Sequence, residues 1–217
     1  MAPSEVGREG SEPKSMGEYD QIISALNRQG WSVTDTTVPP SWCGELRAHA
    51  EQLWQAGAFE PGEFGLDLAN GQQPEVRGDS ICWVQPGSSV AKLPFFEWMA
   101  ALRGVLNERF NLGVRSQEFH FARYPEGRGY RKHLDQHRGR NLRKISVVLY
   151  LNPDWNTALG GELCFYQPTD PETEIARFAP MNARLAVFVS GLMPHAVLPC
   201  RDTRWSVTGW LRTDEPA

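Results

Sequence analysis

The chain is short of nearly everything that would take it out of the ordinary globular class. No apolar run approaches the ~18 residues a membrane-spanning helix needs, so no span is expected. The opening stretch, MAPSEVGREGSEPKSMGEYD, has no apolar segment of the kind a secretory leader carries. It is rich in Gly, Ser, Glu and Pro, which predicts a flexible tail over residues 1–15. Cysteine is scarce: Cys43, Cys82, Cys164 and Cys200 are widely spread and form no C-x-x-C pair. That spacing fits neither a zinc ribbon nor a disulfide framework, and free thiols in a reducing cytoplasm are the expectation. Positive charge is not in excess either. A net charge of −4 argues against a general nucleic-acid binder. No internal repeat is present.

At 217 residues, 41% apolar and 22% charged, the chain has enough to bury one sizeable core and little more. Hydrophobic spacing predicts helices over 16–29 (Tyr19, Ile22, Ile23, Leu26), 41–56 (Trp42, Leu46, Ala50, Leu53) and 94–111 (Phe95, Met99, Leu102, Leu106). Gly30 and Gly57 stand where C-terminal caps belong, and Pro39-Pro40-Ser41 is a start signal. From about 117 the period falls to two, with Phe119 and Phe121 alternating with His120 and Ala122. Further short strands are expected over 143–151, 161–166, 184–190 and 204–212. Helices followed by many short strands predict an α+β chain whose β part is a sandwich or jelly roll. We read a single domain over 16–212, with helical support over 16–111 and the β core over about 117–212, and a tail over 213–217.

The strand 204–212 carries chemistry on one side. Alternation puts Arg204, Ser206, Thr208 and Trp210 on one face and Trp205, Val207 and Leu211 on the other. The first face would be out of place in a closed apolar core and suits the wall of a polar pocket. His133 and Asp135 are two residues apart, so an extended segment points both the same way. His195 would come from a distant strand laid alongside. Two imidazoles and one carboxylate suit Fe(II), Mn or Zn, and leave positions open for other ligands. With Arg204 as anchor for an oxo-acid carboxylate, they outline a non-haem iron, 2-oxoglutarate-dependent oxygenase. His137 is a rival ligand, close to His133 in H-L-D-Q-H. His49 and His120 are read as structural. The basic run Arg128, Arg131, Lys132, Arg138, Arg140, Arg143 and Lys144 either attracts an acidic substrate or is simply solvated.

A denser pattern runs through residues 75–212: Tyr124-Pro125, Gly129-Tyr130, His133-x-Asp135, Tyr150-Leu151-Asn152, Trp155, Gly160-Gly161-Glu162-Leu163, Pro180, Phe188, Ser190, His195-x-Val197, Pro199, Arg204 and Trp210. It resembles the prolyl hydroxylase branch of the Fe(II)/2-oxoglutarate oxygenases, most of all the oxygen-sensing prolyl hydroxylases of animals and their bacterial relatives. The resemblance implies a double-stranded β-helix (jelly roll) with N-terminal supporting helices. It implies iron at His133, Asp135 and His195, and 2-oxoglutarate held by Arg204 with Tyr150, Tyr124 and Thr208. Val76 to Trp83 resembles the start of a substrate-covering finger loop, although R-G-D also occurs in plain surface turns. By that likeness Asp79 would pair with Arg143, and Arg77, Trp83, Arg143 and Trp210 would face a proline-containing protein or peptide. Succinate and CO2 would be released, with O2 consumed and ascorbate as reductant. The bacterial relatives suggest a translation elongation factor as target. Two rival readings stay open: hydroxylation of a free amino acid or small molecule, and a non-catalytic barrel that only senses metal or oxo-acid.

Overall fold

A computed structural model of the protein describes residues 17, 19–62, 76–136 and 141–214. The expected tail at 1–15 and the readings of His137, Arg138 and Arg140 lie outside the described residues. Helix α1 spans Asp20–Gln29 and stops at Gly30, whose φ of 79° lets its N–H reach back to the Leu26 carbonyl. Helix α2, Pro40–Gln55, starts on a proline at its first position, where no intrahelical donor is needed. Helix α3, Pro94–Phe110, does the same and ends on Asn111 in the left-handed region. All three lie close to the helices expected from spacing. None is long and apolar enough to cross a membrane.

The strands build two antiparallel sheets. In chain order they are β1 (Trp31–Thr34), β2 (Glu60–Pro61), β3 (Ser80–Trp83), β4 (Ser116–Tyr124), β5 (Tyr130–His133), β6 (Arg143–Tyr150), β7 (Leu163–Gln167), β8 (Asp170–Phe178), β9 (Leu185–Val189), β10 (His195–Val197) and β11 (Arg204–Arg212). The larger sheet has the order β1-β9-β6-β11-β4-β3-β2 and the smaller β5-β10-β7-β8. Consecutive strands repeatedly swap sheets, as a jelly roll requires. Four of the expected strands appear as β4, β6, β9 and β11. The fifth begins two residues late, at Leu163, because Gly160 and Gly161 both have positive φ and hold the chain in a turn. Strands β1, β2, β3, β5, β8 and β10 had no predicted range, although His195 of β10 was expected on a distant strand. All but β8 are two to four residues long, too short for a period to register. The other, β8, is exposed along most of its length and so lacks an apolar face.

The larger sheet has two different sides. Phe119 and Phe121 of β4, Ile145, Val147 and Leu149 of β6, Leu185 and Val187 of β9, and Trp205, Val207 and Leu211 of β11 pack onto the three helices as one core. The opposite side faces the smaller sheet through Val148, Tyr150, Ala186 and Phe188, which meet Leu163 and Phe165. Gly209 is needed on the helix side: a Cβ there would meet the Phe119 ring at 2.2 Å and the Glu118 carbonyl at 2.3 Å. The end of β11 is tied in. Thr213 donates from its backbone to Leu142 and Arg212 pairs with Asp214 at 2.7 Å.

Candidate metal and oxo-acid site

A cavity of ≈ 690 Å³ lies between the two sheets, lined by residues of both. Its inner wall is set by the pairing of β5 with β10, in which His195 stands directly opposite His133. Asp135 lies just past the end of β5, on the same side as His133. The ligand atoms of His133, Asp135 and His195 lie within 4.8 Å of one another, the one such grouping among the described residues. His133 Nε2 is 3.4 Å from one Asp135 oxygen and His195 Nε2 is 3.7 Å from the other.

Each member is fixed from behind. The Nδ1–H of His133 donates to the Arg131 carbonyl at 2.7 Å, and that of His195 to the Met193 carbonyl at 3.0 Å. Only the N–H tautomer can bond a carbonyl, so both Nε2 lone pairs are left facing the centre. Tyr130 stacks on the His133 ring at 3.7 Å. The Ser146 hydroxyl donates to Asp135 at 2.7 Å and is itself 2.8 Å from the Ser190 hydroxyl. Burial, helped by the His133 charge, pushes His195 down to about 4 despite Asp135, so its imidazole is neutral near pH 7. Burial opposes ionisation of Asp135, but His195, His133 and Ser146 outweigh it and hold the carboxyl well below the usual range. Two imidazole nitrogens and one carboxylate oxygen, oriented from behind and half-buried or buried, fit a divalent iron with positions to spare.

The deep end holds a buried cation. Arg204 opens β11, is 2% exposed, and donates from Nε to the Gly161 carbonyl at 3.1 Å. Its guanidinium lies 4.9 Å from the ring centres of both Tyr124 and Tyr150. No carboxylate pairs with it among the described residues. A buried guanidinium without an anion is costly, so the site is shaped for one to arrive. The Tyr150 hydroxyl is also buried without a hydrogen-bond partner. Burial raises its pKa, and the Arg204 charge counters that. Burial likewise raises Tyr124 well above its usual value. Tyr124 and Thr208 line the cavity, and Tyr150 stands behind its wall. The alternation along β11 is as expected: Arg204, Thr208 and Trp210 line the cavity while Trp205, Val207 and Leu211 join the helix-side core.

At the mouth, Arg77, Asp79, Trp83, Arg143 and Trp210 line the same cavity. One expected contact is corrected. Asp79 does not pair with Arg143; it takes a two-pronged bond from Arg77 at 2.7 and 3.0 Å. Arg143 instead pairs with Glu118 at 3.1 Å, and its guanidinium carbon lies 3.5 Å from the Trp210 ring centre. The reason is register. Glu118 of β4 sits opposite Trp210 of β11, where it pairs with both Arg143 and Arg212. Of the basic run, Arg128 and Arg131 are exposed and Lys132 is engaged by Glu172 at 3.0 Å. Sequence reasoning also missed His120, read as structural and found lining the cavity. The signal was there: it shares a face with Tyr124, four residues along one strand.

Comparison with known proteins agrees with this geometry. Residues 119–212 match the 2OG-Fe(II) oxygenase superfamily model. The crystal structure of a Pseudomonas putida prolyl-4-hydroxylase is 34% identical, with a TM-score of 0.77, covering 89% of this chain and 98% of that one. A Trichoplax adhaerens prolyl hydroxylase, in complex with a hypoxia inducible factor oxygen degradation domain peptide fragment, is 26% identical with a TM-score of 0.75, covering 89% and 88%. By sequence, Egl nine homolog 1 of Rattus norvegicus is 25% identical over 88% of this chain, which spans 57% of that protein. Human prolyl hydroxylase EGLN3 is 27% identical over 88% of this chain and 82% of its own length. The chain therefore belongs to the 2OG-Fe(II) oxygenase superfamily, within its prolyl hydroxylase branch.

Proposed function

We propose that the protein is an Fe(II)- and 2-oxoglutarate-dependent dioxygenase that hydroxylates a prolyl residue in a protein or peptide, with release of succinate and CO2. The observation that carries this is Arg204: a buried guanidinium with no acid paired to it among the described residues, in the same cavity as the His133, Asp135 and His195 group. His133, Asp135 and His195 would hold the iron. Arg204 would take the distal carboxylate of 2-oxoglutarate, with the Tyr150 hydroxyl as a second donor and Tyr124 and Thr208 beside it. Iron with its oxo-acid supplies the activation of O2, chemistry no side chain of this chain provides. The protein's own part is to bind, orient and exclude water. Arg77, Asp79, Trp83, Arg143 and Trp210, at the mouth, are where a peptide would lie.

The relatives support proline as the target, and the bacterial branch suggests a translation elongation factor. The four cysteines, all free, suit a reducing compartment such as the cytoplasm, where ascorbate would keep the iron reduced. The test is mass spectrometry of lysate proteins incubated with iron, 2-oxoglutarate and ascorbate, with and without the protein. One added oxygen on proline, with succinate released, is the expected result. Succinate released only with free amino acids would replace this reading by small-molecule hydroxylation. No succinate under any condition would leave a binding module.

A further inference from the structure

Three rings line one wall at the cavity mouth, and two of them carry buried nitrogen atoms without partners. Strands β3, β4 and β11 run side by side, so Trp83 and Thr208 flank His120 in register, and Trp210 is the next residue along the same face of β11. The Trp83 ring meets His120 edge-on at 4.9 Å, and His120 lies 5.4 Å from Trp210. His120 Nδ1 and Trp210 Nε1 are both buried with no hydrogen-bond partner. Each such atom has given up its hydrogen bond to water with nothing in return. Native interiors hold few of them, and two in one wall of a ligand cavity call for a reason. His120 and Trp210 are 1% and 5% exposed, whereas Trp83 is 41% exposed, so it is the ring with room to swing aside.

We propose that His120 is a specificity-determining residue, and that with Trp210 it forms a pair of neutral donors for backbone carbonyl oxygens next to the target proline, uncovered when Trp83 turns outward. The proposal rests on the prolyl reading above and deepens it. The chemistry of the substrate favours donors. An Xaa-Pro linkage has no N–H, so its surroundings can offer a wall only acceptors there. An indole N–H always donates. Burial, with Arg77 and Arg143 nearby, pushes His120 down to about 3 against the pull of Asp79, so its ring offers a donor without bringing a charge. An uncharged wall also leaves Arg204 as the group that selects the anionic oxo-acid.

The experiment uses the full-length, iron-loaded protein and a synthetic mixture of capped decapeptides, each with one central proline. Hydroxylation is read by mass spectrometry, kcat and KM are measured on the best peptide, and Tm is taken on each protein. His120→Phe and His120→Leu remove the orphan nitrogen, so Tm should hold or rise, while peptide KM rises at least tenfold with a smaller change in kcat. His120→Asn, which keeps a side-chain N–H, should recover part of that loss. A merely structural histidine gives a different pattern, in which Tm falls and KM follows it. That pattern, or a peptide KM unchanged in both apolar variants, overturns the proposal and leaves the two nitrogens to internal water. Failure of the wild-type protein to hydroxylate any proline sinks the prolyl reading itself, and is told apart because it precedes any comparison of variants.

Discussion

The metal corner and the rest of the cavity are built in opposite ways. Around His133, Asp135 and His195 the outward-facing polar atoms are engaged: two carbonyls hold the imidazoles and a serine pair holds the carboxylate. Around Arg204, Tyr150, His120 and Trp210 they are not. Among the described residues a guanidinium has no carboxylate paired with it, and a hydroxyl, an imidazole nitrogen and an indole N–H lack partners. The first region is finished before anything binds, and the second is finished by what binds. Preorganisation at the metal fixes geometry where small displacements matter most. Unmet hydrogen bonds elsewhere hold free energy in reserve for ligands that can meet them.

Substitutions can break that contrast or sharpen it. The largest effect is expected at the finished corner: Asp135→Ala should lower iron affinity by more than ~100-fold, beyond the cost of losing an outer partner, and remove turnover. Metal titration followed by succinate assay checks it, and retained turnover would take Asp135 out of the ligand set. Next is the Arg77–Asp79 pair at the mouth. Asp79→Ala leaves the Arg77 guanidinium without its carboxylate and should destabilise the fold by about 3–5 kcal/mol in denaturant unfolding. A change below ~1 kcal/mol would mean that pair is a solvated surface contact.

On the unfinished side, Arg204→Lys keeps charge but loses the planar fork, and should weaken 2-oxoglutarate binding by ~10–100-fold. An unchanged Michaelis constant would refute the anchor. Ser146→Ala frees one Asp135 oxygen and should cost ~10-fold in iron affinity, leaving 2-oxoglutarate affinity of the loaded protein nearly intact. The smallest effect has the opposite sign. Tyr150→Phe deletes a buried hydroxyl without a partner, so stability should rise by up to ~1 kcal/mol while 2-oxoglutarate binding weakens. A fall in Tm there would mean the hydroxyl is already satisfied and the contrast is overdrawn.

Much of this was legible beforehand. The three helices showed in the spacing of Ile22, Leu46 and Met99, because an amphipathic helix must repeat its apolar face. The two faces of β11 showed in strict alternation, and Arg204 was marked by standing on the polar one. His133 and Asp135 were marked by sharing a short extended segment. Less visible were the short strands: β10 has three residues, and His195, although expected on a distant strand, had no strand range around it. The Asp79 and Arg143 partners were misjudged because a pairing depends on which strand lies between, and Glu118 on β4 is supplied by sheet order, not by local sequence.

What the sequence determined alone is therefore local and periodic: the helices, the strands with an apolar face, the types of the candidate ligands, and which side of a strand each faces. What only the tertiary structure decided is cross-strand register. It sets His195 opposite His133, lodges Glu118 between two arginines and brings the Trp83 ring edge-on to His120. Alternation is written into every few residues of a chain, whereas register between strands far apart in sequence is chosen by the packing of both sheets at once.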